Sequence, residues 1–246
     1  MIITFGTGSG RCGTDTFGSQ MQRLKGVVGV HEGLHRLSYR RVRPGSPMPP
    51  SAPHLVCGDS RARDWNIKAL VRRRELYMQG PEQVGYGEGA HYMALNLDLV
   101  AEIFPEARIV HLVRNPIAQL WSMLQYGGGE VYGQAGSHPR QETHWKRWPD
   151  SFPIFPKATT RAEGFAYHWQ AVNEAIEKSP LPTLLVRTEV LGEPETWEKI
   201  LDFAGLDSVV THPELVFNAR SPKMKLRPMP PEVEATAKRI CTWQPK

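Results

Sequence analysis

No stretch of this 246-residue chain approaches the roughly 18 consecutive apolar residues that a membrane-spanning helix needs, so no membrane span is expected. The N-terminus has no basic segment followed by an apolar one, so no secretory leader is expected either, and the expected location is cytoplasmic. Cysteine is scarce: Cys12, Cys57 and Cys241 are scattered and odd in number, which argues against a disulfide framework and for a reducing compartment. No two of them have the CxxC spacing of a zinc site. A strong charge of one sign is also missing. Thirty Lys and Arg against 25 Asp and Glu leave a net charge of +5, which suits an anionic ligand but is too weak for a dedicated nucleic-acid binder. No nucleic-acid partner is expected.

What the chain has is an alternation of short apolar runs with helical patterns. Ile2 to Phe5 reads as a buried strand that turns directly into glycines, and Thr14 to Leu24 as a helix with Thr14 at its N-cap. Val27 to Val30 and His54 to Cys57 read as strands, and Asp64 to Glu75 as a helix. Leu95 to Phe104 is helical in spacing and Pro105 ends it. Arg108 to Val113 (RIVHLV) is the clearest buried strand, handing over at Arg114-Asn115-Pro116 to a helix over Ile117 to Leu124. Arg161 to Lys178 and Pro194 to Ala204 read as helices and Thr183 to Val186 as a strand. Strands alternating with helices predict one α/β domain over residues 1–246, a central parallel sheet with helices on both faces. The segment 127–160, rich in Gly, Pro and aromatics and without periodicity, is expected to be a loop-rich insertion, a lid or acceptor site.

The stretch FGTGSGRCGTDTF sits where the first strand meets the first helix, a prepared anion site. Two phosphate-binding patterns compete for it. GxGxxG can be laid on Gly8, Gly10 and Gly13, with Glu32 standing near the acidic position that a dinucleotide site requires. GxxxxGK[ST] fits only Gly8 and Gly13, with Thr14 where the lysine belongs. RIVHLV is followed by Arg114 rather than by a magnesium-holding aspartate, so a triphosphatase is disfavoured.

Three segments, in order, resemble one family. RCGTDT is similar to the 5′-phosphosulfate loop of the sulfotransferases, usually [RK]-S-G-T-[TS], with Cys12 for the serine and Asp15 for the second threonine. HLVRNPIAQLWSML resembles the family's 3′-phosphate motif, giving Arg114 and Ser122. LLVRTEVLGEPETWEKILDFAGL resembles its later strand–helix segment, with Thr188 where an aromatic is usual. The resemblance spans about residues 2–206 and implies a P-loop-type fold. It also implies an enzyme that moves a sulfuryl group from 3′-phosphoadenosine 5′-phosphosulfate (PAPS), without a metal, to a hydroxyl or less often an amine, releasing the bisphosphate PAP. The implied donor contacts are Gly10, Arg11, Cys12, Gly13, Thr14, Asp15 and Thr16 at the phosphosulfate, and Arg114, Ser122 and Arg220 at the 3′-phosphate. Arg11, whose guanidinium stays protonated, is expected to stabilise charge on the leaving phosphate rather than to act as an acid. Asp15 would repel a sulfate, so its carboxylate is expected to turn away, capping the helix.

The acceptor must lose a proton, so a base is needed within hydrogen-bond reach. GVVGVHEGLHRL supplies Glu32, His31 and His35, with Glu32 taken first; Asp59 and His91 are outside candidates. Adenine would stack on one of Trp65, Tyr167, Trp169 or Phe217. Tyr126, Tyr132, His144, Trp145 and Trp148 are available to line a site for a small-molecule or glycan acceptor. Two other readings stay open: a kinase-like phosphotransferase using ATP and magnesium, and a non-catalytic protein that binds an adenosine phosphate.

Overall fold

The computed structural model describes residues 2–31, 71, 83–94, 97–125, 158–206 and 228–245. Five parallel strands form one sheet: β1 (Ile2–Thr7), β2 (Val27–His31), β3 (Gly85–Gly89), β4 (Arg108–Val113) and β5 (Thr183–Arg187), in the order β2-β3-β1-β4-β5. The α-helices that accompany them are α1 (Thr14–Met21), α2 (Leu97–Ile103), α3 (Pro116–Gln125), α4 (Arg161–Glu177), α5 (Pro194–Ala204) and α6 (Pro231–Ile240), with short 3-10 turns at His91–Met93 and Thr188–Val190. The α/β class, the parallel sheet and the helices on both faces are as the alternation predicted.

Each face of the sheet has its own core. Phe17 and Met21 of α1 pack with Val110 and Leu112 of β4 and with Trp197, Ile200 and Leu201 of α5. On the opposite face, Phe5, Tyr86 and Ile109 meet Leu99 and Ile103 of α2 and Val172 and Ile176 of α4. A third cluster joins α3, α4 and α6 through Leu120, Met123, Phe165, Trp169, Val233, Ala237 and Trp243. The sequence pattern passed over α6, whose first turn carries Pro231 and Glu232 and whose last carries Lys238 and Arg239, charges that suit the helix dipole.

It also passed over β3. GYGEG has no apolar run, yet all five residues are buried. Tyr86 and Glu88 point to one face, where the phenol donates to Glu88 Oε2 at 2.6 Å. Gly87 and Gly89 face α1, which lies close on the sheet. A Cβ on Gly89 would overlap the carbonyl oxygen of Thr14, one on Gly87 the Met21 side chain, and one on Gly29 the backbone of Gln22. The Gly89→Ala protein should therefore be less stable by at least about 2 kcal/mol, because α1 must rise off the sheet. That is a melting temperature lower by at least about 4 °C for a chain of this size. An unchanged melting temperature would mean that α1 rides up freely.

Helix starts differ from expectation at one point that matters. Thr14 is the first residue of α1, and the N-cap is Gly13 at φ 97°, with no side-chain cap. A left-handed cap needs glycine, and the loop turns there, so the threonine hydroxyl is not in capping position. Leu95 and Asn96 lie outside the described residues, so α2 is seen from Leu97. The expected strand 54–57, the helix over 64–75 apart from Val71, which is helical, and nearly all of the insertion 127–160 fall outside them as well.

Candidate active site

The topology itself makes a crevice. From β1 the chain goes to β2 on one side of the sheet, and from β4 to β5 on the other, although β1 and β4 are neighbours. Connections that diverge from adjacent parallel strands leave a cleft at their carboxyl ends, where ligands bind in open α/β sheets. The glycine loop leaves β1 and Arg114 leaves β4 at this place.

Within the loop, Gly10 at φ 79° and Arg11 at φ 52° both take left-handed backbone. For arginine this conformation is uncommon, and such strain persists only where the surroundings enforce it. The enforcing contacts come from β4 and α3. Arg114 Nη1 donates to the Arg11 carbonyl at 3.1 Å, and buried Gln119 donates to Ser9 Oγ at 2.6 Å and to the Gly10 carbonyl. Arg11 Nε in turn donates to Ser122 Oγ at 3.4 Å. Arg11, Arg114 and Ser122, separated by about a hundred residues of chain, are thus brought together. Two arginines that meet at one loop raise the positive potential there, which suits a negatively charged ligand.

The helix ends at the crevice are not alike. Asn115 caps α3, its Oδ1 accepting from the N–H groups of Ile117 at 3.0 Å and Ala118 at 3.2 Å. Its own N–H donates to Glu189 Oε1 at 2.9 Å. The first turn of α3 is therefore occupied by the protein. No side chain caps α1, and the first bond of that helix is from Phe17 N–H to the Gly13 carbonyl at 2.9 Å. An uncapped helix start of this kind suits an anion.

Cys12 takes no part through its thiol. It is fully buried beside the α1–α5 core, and that burial pushes its pKa up to about 12, so it stays protonated and inert. Its carbonyl is held by Thr188 Oγ1 at 2.6 Å, and the same hydroxyl lies 3.2 Å from the carbonyl of Val113. Thr188 thus ties the loop to the end of β4. Thr14 is buried and Thr16 half-buried.

Asp15 does turn outward, but it is no cap. Its carboxylate meets His31 Nδ1 at 3.4 Å. His31 closes β2 and is half-buried; Glu32 and His35 lie outside the described residues, as do Arg220, Asp59, Trp65 and Phe217. His91 follows β3 and is carried to the loop by two bonds. Ala90 N–H donates to the Gly6 carbonyl at 2.9 Å, and Thr7 Oγ1 to the Ala90 carbonyl at 2.7 Å. Beside it on α4 is His168, whose pKa is pushed down to about 3, first by burial and then by the charge of His91, while a bond to the backbone of Ser9 opposes the shift.

Of the aromatics, Trp169 is buried in the third cluster, edge-on to Trp243 with ring centroids 5.8 Å apart. Its indole donates to the Arg114 carbonyl at 3.3 Å. It is a post behind Arg114, not a face open to adenine. Tyr167 packs half-buried against the same cluster. The sequence pattern missed the supporting residues Ser9, Gln119, Thr188 and Glu189. A polar Gln119 on the buried stripe of α3 was the one signal available.

No family model and no curated protein sequence matches the chain. Solved structures do. The crystal structure of a sulfotransferase from Alicyclobacillus acidocaldarius superposes with a TM-score of 0.54 at 14% identity, covering 97% of this chain and 94% of that one. The sulfotransferase domain from the Synechococcus PCC 7002 olefin synthase is 13% identical over 99% of this chain and 95% of its own, with a TM-score of 0.47. The first likeness extends over essentially the whole of both chains, and it defines the fold: the protein has a sulfotransferase-type α/β fold. Among the described residues no helix is long and apolar enough to cross a membrane.

Proposed function

We propose that the protein is a sulfotransferase that moves a sulfuryl group from PAPS to a hydroxyl, less readily an amine, of a small-molecule or carbohydrate acceptor. The observation that carries this reading is the meeting of Arg11, Arg114 and Ser122 over the uncapped start of α1. A donor with two separated anionic groups needs two anchoring points. The loop from Gly10 to Thr16 serves the phosphosulfate with backbone N–H groups, and Arg114 with Ser122 serves the 3′-phosphate through charge-assisted bonds. Arg220 of the FNARSPKMK segment joins them at the 3′-phosphate, and the insertion 127–160 contributes the acceptor site. The sulfotransferase-type fold supports the same assignment.

In the transfer step the acceptor oxygen bonds to sulfur while the bond from sulfur to the bridging phosphate oxygen breaks. The electron pair leaves on PAP, and the acceptor proton passes to a base. Arg11 offsets charge on the departing phosphate, a stabilisation that grows toward the transition state. The base belongs to the residues that end β2 and follow it, His31 and Glu32.

A thermal-shift titration tests the reading, with PAP set against ATP and magnesium. A ligand that binds only the folded protein at a hundred times its Kd adds about 2.7 kcal/mol of stability. For a chain of this size that raises the melting temperature by about 5–10 °C. A rise with PAP is the expected result. A rise with ATP and magnesium alone would replace the assignment with a kinase-like phosphotransferase, and no rise with either would remove it.

A further inference from the structure

Three consecutive carbonyls of the glycine loop are each held by a side chain from a different part of the chain. Gln119 Nε2 of α3 donates to the Gly10 carbonyl and, at 2.6 Å, to Ser9 Oγ. Arg114 Nη1, just past β4, donates to the Arg11 carbonyl at 3.1 Å. Thr188 Oγ1, just past β5, donates to the Cys12 carbonyl at 2.6 Å. A peptide group is planar, so holding its oxygen also sets the direction of the N–H that follows. Three successive peptide planes, from Gly10–Arg11 to Cys12–Gly13, are thereby fixed.

The loop would not keep this shape by itself. Among the described residues Arg11, at φ 52°, is the only non-glycine one with left-handed backbone, and Gly10 beside it has φ 79°. Arginine leaves its favoured backbone regions to stay there. Packing does not explain the amide of Gln119 either. The side chain is fully buried, and among the described residues nothing donates to its Oε1. An unsatisfied buried acceptor lowers stability in a way that an apolar side chain of the same size would not. What the amide contributes is its grip on Ser9 and Gly10.

We propose that Gln119 and Thr188 are positioning residues that hold the glycine loop in its anion-binding shape before PAPS arrives. The proposal rests on the PAPS reading given above and deepens it by naming two residues that act on the ligand through the loop backbone. A loop that is competent only part of the time binds more weakly by that fraction. With both side chains in place the loop of the free protein keeps the competent shape. Without one of them it relaxes toward ordinary backbone at Arg11, and the ligand must first restore the left-handed turn. Neither residue can stand in for the other, because the two carbonyls belong to different peptide planes. Thr188 acts through a hydroxyl that serine shares and valine lacks, so affinity should follow the hydroxyl rather than the shape of the side chain.

The test uses the full chain and two readouts, amide hydrogen exchange of residues 8–16 without ligand and the Kd for PAP by calorimetry. In Gln119→Leu and in Thr188→Val the loop should exchange at least about tenfold faster than in the parent, while α6 exchanges as before. PAP should bind each variant at least about tenfold more weakly, the factor expected of a loop that is competent about a tenth of the time. Saturating PAP should bring loop exchange in the variants back to that of the parent. Thr188→Ser should stay within about threefold of the parent in both readouts, because it keeps the hydrogen bond. Three results would overturn the proposal while leaving the PAPS site standing. One is loop exchange or Kd unchanged in both variants. Another is a Thr188→Ser protein as impaired as Thr188→Val. The third is faster exchange throughout the chain, α6 included, which would make the two residues supports of the fold rather than of the loop. Failure of the parent to bind PAP would instead overturn the PAPS reading, and exchange of the ligand-free loop would still decide whether the two residues hold it.

Discussion

The Arg114→Ala protein should remain folded and lose most of the PAP-induced rise in melting temperature. The guanidinium sits half-buried at the end of β4, its carbonyl held by Trp169 and its Nη1 on the Arg11 carbonyl. A phosphate that loses such a partner forfeits a charge-assisted and potentially bidentate pair in a partly desolvated place. Truncations of that kind cost about 2–5 kcal/mol of binding. At a PAP concentration that raises the parent by several degrees, the variant should then shift by about a degree or less. Arg114→Lys keeps the charge and loses the fork, so it should fall between the two. Lys238→Ala, which removes an exposed cation of α6 paired with Glu234, corrects for net charge and should leave the shift unchanged. A full shift in Arg114→Ala would move the 3′-phosphate away from β4 and with it the whole assignment of the crevice.

Stability should fall steeply as the solution is made mildly acidic, before carboxylates begin to titrate. Two buried histidines cause this. His111 in β4 donates from Nε2 to Asn173 Oδ1 at 2.7 Å, and burial pushes its pKa from 6.5 down to about 4 against the opposing bond to Asn173 and the charge of Glu177. His168 is pushed from the same 6.5 to about 3 by burial and by His91. The unfolded chain protonates these imidazoles below about pH 6.5, whereas the folded protein resists until about 4 and 3. Between those limits the unfolded state holds more protons, so stability decreases as pH decreases; the contribution is fully present above about 6.5. Each histidine takes up to about 1.4 kcal/mol per pH unit, so at about pH 5 the two together remove about 4 kcal/mol. The melting temperature should drop by about 8–16 °C relative to about pH 7.5. Glu163 acts in another window: its bonds to Thr159 and then Arg239 hold its pKa at about 2, below its usual 4.5. Melting curves of the parent and of His168→Leu across pH 5 to 7.5 (the approximate span in which only the imidazoles titrate) decide the matter. The variant should lose about half of the slope, and equal slopes would refute the account.

Much of the site was legible before any fold was known, because its parts are local. A strand that runs into glycines and then a helix is a continuous stretch, and so is RIVHLV with its arginine and the helix that carries Ser122. Their elements form where the periodicity places them, and Arg108–Val113 and Pro194–Ala204 agree residue for residue. The resemblance of three such stretches in order pointed to the same fold that the superposition on a solved sulfotransferase defines.

The sequence by itself therefore determined the α/β class and the glycine loop, and its resemblance to the sulfotransferases implied the pairing of that loop with an arginine at the end of a later strand. Hydrophobic periodicity and turn chemistry act over a few residues, and so they can be read along the chain. Other features depended on distances that no local pattern encodes. GYGEG is a buried strand only because α1 lies close enough to need glycine there. Trp169 is a post behind Arg114 rather than an open ring because α6 brings Trp243 against it. Asp15 faces His31, instead of capping its own helix, because β2 ends beneath the first turn of α1. Each of these is a contact between elements far apart in sequence, and only close packing of the finished sheet and helices decides which side chains meet.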